Sequence, residues 1–91
     1  MDSVENILNK ITGFASGSIE FDYDEIGDVL YSQVKNIYQN IDIDLDGGVV
    51  INIDPKSYQI NGFIIIDYKK RLRDRKIGKI PFFSSNNLPM I

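Results

Sequence analysis

The sequence predicts a small α+β domain, in which an N-terminal helix packs on a mostly antiparallel sheet of about five strands. Apolar residues recur at helical spacing near the N-terminus, and from residue 19 to residue 67 they recur mainly at every second position. The 91 residues, 43% of them apolar, are sufficient for one folded core. We therefore predict a single domain over 1–67, followed by a basic and then apolar C-terminal arm over 68–91.

The predicted helix covers residues 3–12. Asp2 and Glu5 have the three-residue spacing of a helix start. Apolar residues follow on one helical face, and Gly13 suits the C-terminal end. The stripe consists of Val4, Ile7, Leu8 and Ile11.

Five segments with strand periodicity follow the helix. The predicted strands lie near 19–23, 28–34, 36–45, 49–54 and 60–67. Turns are predicted at Asp24 to Gly27 and at Asp54 to Ser57, because short carboxylates, glycine and proline favour turns. The last strand is apolar on both faces. It should therefore be central in the sheet, or be covered on its second side by the helix.

The segment from Asp42 to Gly47 resembles the first half of an EF-hand loop. Aspartates recur at alternate positions before the glycine, which predicts a weak calcium site as one hypothesis. Its ligands would be Asp42, Asp44, Asp46 and Asp54. Position twelve, however, is Ile53 where the loop needs a bidentate glutamate, and Asp54 comes one step late.

The competing interpretation of this segment is a β-hairpin. A three-residue loop from Asp46 to Gly48, with Gly48 in the left-handed conformation, pairs Leu45 with Val49. Continued pairing keeps the apolar residues of both strands on one face. The opposite face then carries the polar residues Asn40, Asp42, Asp44, Asn52 and Asp54. We expect this acidic surface to accept a cation or a basic partner, the chain's own arm included.

The arm has the opposite charge. Residues 1–68 carry twelve acids and three bases, whereas residues 69–79 carry seven bases and one acid. The bases are Lys69, Lys70, Arg71, Arg73, Arg75, Lys76 and Lys79. They are candidates for binding nucleic acid or a protein partner, or for folding against the acidic body. Residues 68–79 fit either a short helix or an irregular segment. The apolar residues after them should fold back onto the body or mediate self-association.

The chain contains no cysteine and no histidine. This excludes disulfides, thiolate and imidazole metal ligands, cysteine nucleophiles and histidine general bases. We therefore expect that the protein is not an enzyme. No apolar run approaches the roughly 20 residues of a membrane helix, and the acidic N-terminus is unlike a secretory signal. A cytoplasmic location is the expectation.

A group of residues from 19 to 67 resembles domain of unknown function 2283, a family of small prokaryotic proteins. The resemblance lies in Tyr23-Asp24, Asp28 and Leu30-Tyr31, and continues in Gly48 to Ile51, in Asp54 and in Gly62. Ile64 departs from the family, which usually carries an acid two residues after the glycine. The resemblance implies a compact, sheet-rich domain without established activity, and an antitoxin-like role in protein binding.

The leading functional hypothesis is a non-catalytic interaction module with a protein partner or a second copy. It rests on the absence of cysteine and histidine, the charge asymmetry and the apolar tail. The alternatives are weak calcium binding by the acidic hairpin and nucleic-acid binding by residues 69–79.

Overall fold

The computed structural model describes residues 3–34 and 39–91, which form two helices and six strands. Helix α1 (Val4–Lys10) precedes strands β1 (Gly13–Phe14), β2 (Glu20–Asp24), β3 (Val29–Gln33), β4 (Ile41–Asp44), β5 (Val49–Ile53) and β6 (Gln59–Ile66). Helix α2 (Tyr68–Asp74) and a 3₁₀ turn (Ser85–Asn87) follow. The predicted α+β class with an N-terminal helix is confirmed.

The sheet is arranged around its last strand. The strand order is β2-β3-β6-β5-β4, and all neighbours on this path are antiparallel. Strand β6 is therefore central, as its apolar residues on both faces predict. Strand β1 pairs in parallel with the start of β6, where Gly13 lies opposite Gln59. Strand β1 is not predictable from the sequence, because two residues carry no periodic pattern.

Helix α1 is shorter than predicted. Ser3 is its N-cap and accepts the Asn6 N–H at 3.2 Å. The helix ends at Lys10, since Ile11 already has an extended backbone with ψ 125°. The prediction that Gly13 ends the helix is therefore wrong, and Gly13 is instead the first residue of β1. Asp2, predicted to start the helix, lies outside the described residues.

Strands β4 and β5 pair in the register that the apolar residues predict. Ile41 lies opposite Ile53, Ile43 lies opposite Ile51, and the Leu45 N–H donates to the Val49 carbonyl at 2.7 Å. In the turn, the left-handed helical φ of 50° belongs to Gly47, whereas the expected residue, Gly48, has φ 140°. Both values favour glycine. The predicted strand 36–45 falls partly outside the described residues, and its described part begins at Ile41.

The other strands lie within one residue of their predicted bounds. Asp28 directly precedes β3 and Asp67 directly follows β6, and both have left-handed backbone conformations, with φ 55° and φ 58°. Aspartate tolerates this region better than branched residues do.

One face of the sheet is covered, and it holds the core. The covering residues include Ile7 and Leu8 of α1 and Ile11 directly after it, and the C-terminal segment folds back over the same face. Of the two alternatives for the apolar tail, the structure thus shows packing on the body. The buried core consists of Leu30, Ile43, Val49, Ile51, Ile53, Phe63, Ile65, Tyr68, Ile77, Ile80 and Leu88.

Candidate functional site

The acidic hairpin uses its carboxylates to fix its own backbone. The Asp44 carboxylate accepts the N–H groups of Asp46 and Gly48 at 3.2 and 3.0 Å. The Asp42 carboxylate accepts the side-chain amide of Asn52 at 2.8 Å. The Gly48 carbonyl, which would be position seven of a calcium loop, accepts the Ile66 N–H at 2.7 Å. The carboxylate oxygens of Asp42 and Asp44 thus stabilise the hairpin, and the Gly48 carbonyl attaches it to β6.

A basic side chain of α2 closes the hairpin turn. The Arg71 guanidinium donates to the Asp46 and Gly47 carbonyls at 3.1 and 3.2 Å, and lies 3.5 Å from the Asp46 carboxylate. It also donates to the carbonyls of Ile66 and Lys76. The planar fork of arginine can reach several carbonyls at once. The predicted contact between the basic segment and the acidic hairpin therefore exists, and it is made at the turn.

The four aspartates of the calcium hypothesis do not converge. Asp54 lies at the end of the hairpin remote from Asp46, where its carboxylate accepts the Lys56 and Ser57 N–H groups at 2.8 and 3.3 Å. Within residues 3–34 and 39–91, no three acidic side chains are grouped so that they could hold a metal ion. Calcium binding stays a prediction that this arrangement does not favour.

The start of α2 is held by a carboxylate from a distant turn. Asp28 accepts the Lys69 and Lys70 N–H groups at 2.8 and 3.5 Å, and the Tyr23 hydroxyl at 2.7 Å. The hydrogen bond from Lys69 and that from Tyr23 lower the pKa of Asp28. The same hydrogen bond to Asp28 raises the pKa of Tyr23 to about 12. Asp24 accepts the N–H groups of Ile26 and Gly27, the turn role expected for this acid.

The basic residues do not form one continuous cationic surface. Arg71 is bound to the hairpin turn, and Arg73 lies 3.3 Å from Asp74. The Lys69 ammonium lies 5.9 Å from the centre of the Tyr23 ring. Lys70, Arg71, Arg75 and Lys76 line an open cavity of about 490 Å³ together with the acids Asp46, Asp67 and Asp74. Lys79 is exposed farther along the chain.

The second face of the sheet is the strongest candidate for a binding surface. Its apolar centre lies on the three middle strands, β3, β6 and β5, and consists of Val29, Tyr31, Ile64, Ile66 and Val50. The elements that cover the core lie on the opposite face. Tyr31 and Ile66 are each 43% exposed. We call this surface, with the acids described next, the open face.

Acidic strands border the apolar centre on both sides. Strand β2 contributes Glu20, Asp22 and Asp24, which alternate with the inward-facing Phe21 and Tyr23. Strand β4 contributes Asp42 and Asp44 at the other edge. Among the described residues, none of these five carboxylates forms an ion pair. The open face is thus an apolar strip between two anionic rims.

A small recess lies at one end of the apolar strip. Gly62, which has no side chain, pairs with Gln33 of β3 and with Asn52 of β5. The recess beside it has a volume of about 120 Å³, and Tyr31 and Ile64 line it together with amide side chains. Any Cβ at position 62 would collide with the Ser32 carbonyl, so this position requires glycine.

Sequence reasoning found the acids of β4 but missed the open face as a whole. The apolar residues of β3, β5 and β6 were assigned strand roles only, and the acids of β2 were not connected with those of β4. The alternation of side chains along each strand could have shown part of the open face, because it places Tyr31 and Ile64 on the face opposite to Leu30 and Ile65. That the residues of these strands lie on one surface follows only from the strand order.

Comparisons of the chain with protein-family models, with curated proteins and with solved structures find no match. The resemblance to domain of unknown function 2283 therefore stays a prediction. In the described part of the chain, neither helix has the length and apolar character needed to cross a bilayer.

Proposed function

We propose that this chain is a non-catalytic interaction module that binds another protein through the open face. The observation that carries the proposal is the apolar strip between two acidic rims, in which Tyr31 and Ile66 are exposed and Val29, Val50 and Ile64 are half-buried. Contiguous exposed apolar surface with a polar border is typical of protein-binding sites.

The composition of the strip supports the same function. Tyrosine is enriched at interfaces, because its ring provides contact area and its hydroxyl tolerates water. Tyr31 stands beside the recess at Gly62, which offers a position for a side chain of the partner. The absence of cysteine and histidine from the sequence supports a role other than catalysis. An antitoxin-like role would be one form of such binding.

Affinity capture with matched baits tests this function. We expect wild-type protein to enrich a specific partner from an extract of its own cells, and Tyr31→Thr/Ile64→Thr to lose it. Threonine keeps the β-branched preference for strands while it removes apolar contact area. Ile26→Thr is the matched control, because Ile26 is fully exposed in a turn outside the open face. Equal capture by all three baits would contradict the proposal.

A further inference from the structure

We infer that the open face receives an amphipathic α-helix of a different protein, with an apolar stripe flanked by Lys or Arg on both sides. This inference rests on the proposed function and specifies its partner. It follows from the width of the apolar strip, the charge of its two rims, and the surfaces that a second copy of this chain could offer.

The apolar strip has the width of one helix. Strands β3, β6 and β5 are neighbours, so at a spacing of about 4.8 Å they span about 10 Å from first to last. An α-helix with its side chains is about 10–12 Å in diameter. A helix lying along β6 would cover Ile64 and Ile66 and contact Tyr31 and Val50 on either side. A second sheet would extend beyond the strip and bring its own strands over the acids.

The rims fix the charge of the helix. Strands β2 and β4 lie on either side of the strip, about 19 Å apart over four strand spacings. Their five acidic residues therefore border both flanks of a helix on β6, and Asp24, Asp42 and Asp44 also accept hydrogen bonds within the chain. Lysine and arginine side chains are long enough to lie along apolar surface and place their charges at such a distance. A helix with acidic flanks would be repelled on both sides.

Within residues 3–34 and 39–91, a second copy of this chain does not supply such a helix. The apolar side of α2 is used in its own core, where Tyr68 is buried and Leu72 packs against the same cluster. Helix α1 carries one base, Lys10, and one acid, Glu5. Two open faces stacked on each other would bring ten carboxylates together, because each face contributes five. The partner is therefore a different chain.

Synthetic helices test the inference with the intact protein. The probe is a labelled peptide of about 15 residues, roughly three to four helical turns, with leucines at i, i+3, i+4 and i+7 and Lys or Arg on both flanks. The matched peptide has the same leucines with Glu on both flanks. We expect the basic peptide to bind at low salt at least about ten-fold more tightly than the acidic one by fluorescence anisotropy.

Variants of the protein locate the binding. Asp22→Asn/Asp42→Asn neutralises one acid in each rim and should weaken binding of the basic peptide about three- to ten-fold. Tyr31→Thr/Ile64→Thr should weaken it at least about ten-fold. Asp22→Lys/Asp42→Lys changes the charge of the two rims from −5 to −1, and should weaken the basic peptide further while it strengthens binding of the acidic peptide, which a structural effect alone would not do. Glu5→Gln on α1 is the control and should bind like wild type.

The outcomes separate this inference from the proposed function. If the capture experiment recovers a partner through the open face but the basic and acidic peptides bind equally or not at all, the inference is wrong and the proposed function stands. If Tyr31→Thr/Ile64→Thr binds the basic peptide as well as wild type, the peptide binds elsewhere and the inference is again overturned. If the protein sediments as a dimer and Tyr31→Thr/Ile64→Thr sediments as a monomer, the open face binds a second copy instead.

Discussion

The two faces of the sheet are built from alternating residues of the same strands, yet they differ in burial, in the elements that cover them and in charge. Ile65 points into the core and is fully buried, whereas its neighbour Ile66 lies on the open face and is 43% exposed. The covered face carries apolar contacts to α1 and the C-terminal segment. The open face carries five acids around its apolar strip. We therefore expect substitutions on the covered face to act on stability and those on the open face to act on the proposed binding.

The largest expected contrast is between Ile65→Ala and Ile66→Ala. Ile65→Ala should lower the free energy of unfolding by about 2–5 kcal/mol, because it leaves a cavity in the core. Ile66→Ala should cost roughly 1 kcal/mol, since the removed atoms are partly in water already. Urea unfolding with a fixed m value measures both. If both variants lost the same free energy of unfolding, the open face would be covered in solution.

A second contrast concerns the basic side chains. Arg71→Lys should destabilise the protein by about 1–2 kcal/mol, because lysine cannot donate to the Asp46 and Gly47 carbonyls together. Arg73→Lys is the matched control and should change stability by less than about 0.5 kcal/mol, since Arg73 contacts only the neighbouring exposed Asp74 in the described structure. If the two variants unfold alike, Arg71 does not hold the turn.

The hydrogen bond between Tyr23 and Asp28 should make stability depend on pH at both extremes. Because the pKa of Tyr23 is raised to about 12, its contribution is present below pH 10 and is lost as the pH rises to about 12. The pKa of Asp28 is lowered, so its contribution is present above about pH 4 and is lost in acid.

Thermal unfolding across pH checks these signs. Tyr23→Phe should reduce the decline of the unfolding temperature at alkaline pH, and Asp28→Asn should reduce its decline at acid pH. Tyr31→Phe removes a tyrosine hydroxyl from the open face and serves as the control. The account of the α2 attachment is wrong if Tyr31→Phe flattens the alkaline profile as much as Tyr23→Phe.

The smallest effect is expected for nucleic acid. Arg71 is bound within the protein, acids are interspersed in the cavity along α2, and the net charge of the chain is −3. We expect no salt-sensitive gel shift of a single-stranded oligonucleotide, and no difference between wild type and Lys76→Glu/Lys79→Glu. A shift at low salt that these charge reversals abolish would instead support the nucleic-acid hypothesis.

The sequence predicts the covered face well because burial leaves a periodic signal. The pairing of Ile43 with Ile51 was predictable, since a shift by one residue would move every apolar side chain to the other face. The central place of β6 was one of the two alternatives that its apolar residues on both faces predicted, the other being cover by the N-terminal helix. The end of α1 was less predictable, because Thr12 and Gly13 are equally compatible with helix termination and with a strand.

Contacts between distant segments left no such signal. Asp28 holds the start of α2 across 41 residues, and Arg71 reaches back 25 residues to Asp46. The charges of both segments suggested attraction, but not which atoms meet. The open face was hidden for the same reason, since Asp22 and Asp42 border one surface only because β3, β6 and β5 lie between them.

Hydroxyl-radical footprinting of the complex with the captured partner tests the central claim most directly. We predict that Tyr31 and Ile66, both exposed in the free protein, become protected when the partner binds. Ile26 is fully exposed outside the open face and should be labelled equally in both states. Unchanged labelling of Tyr31 and Ile66, with protection elsewhere on the protein, would contradict the claim that the open face is the binding surface.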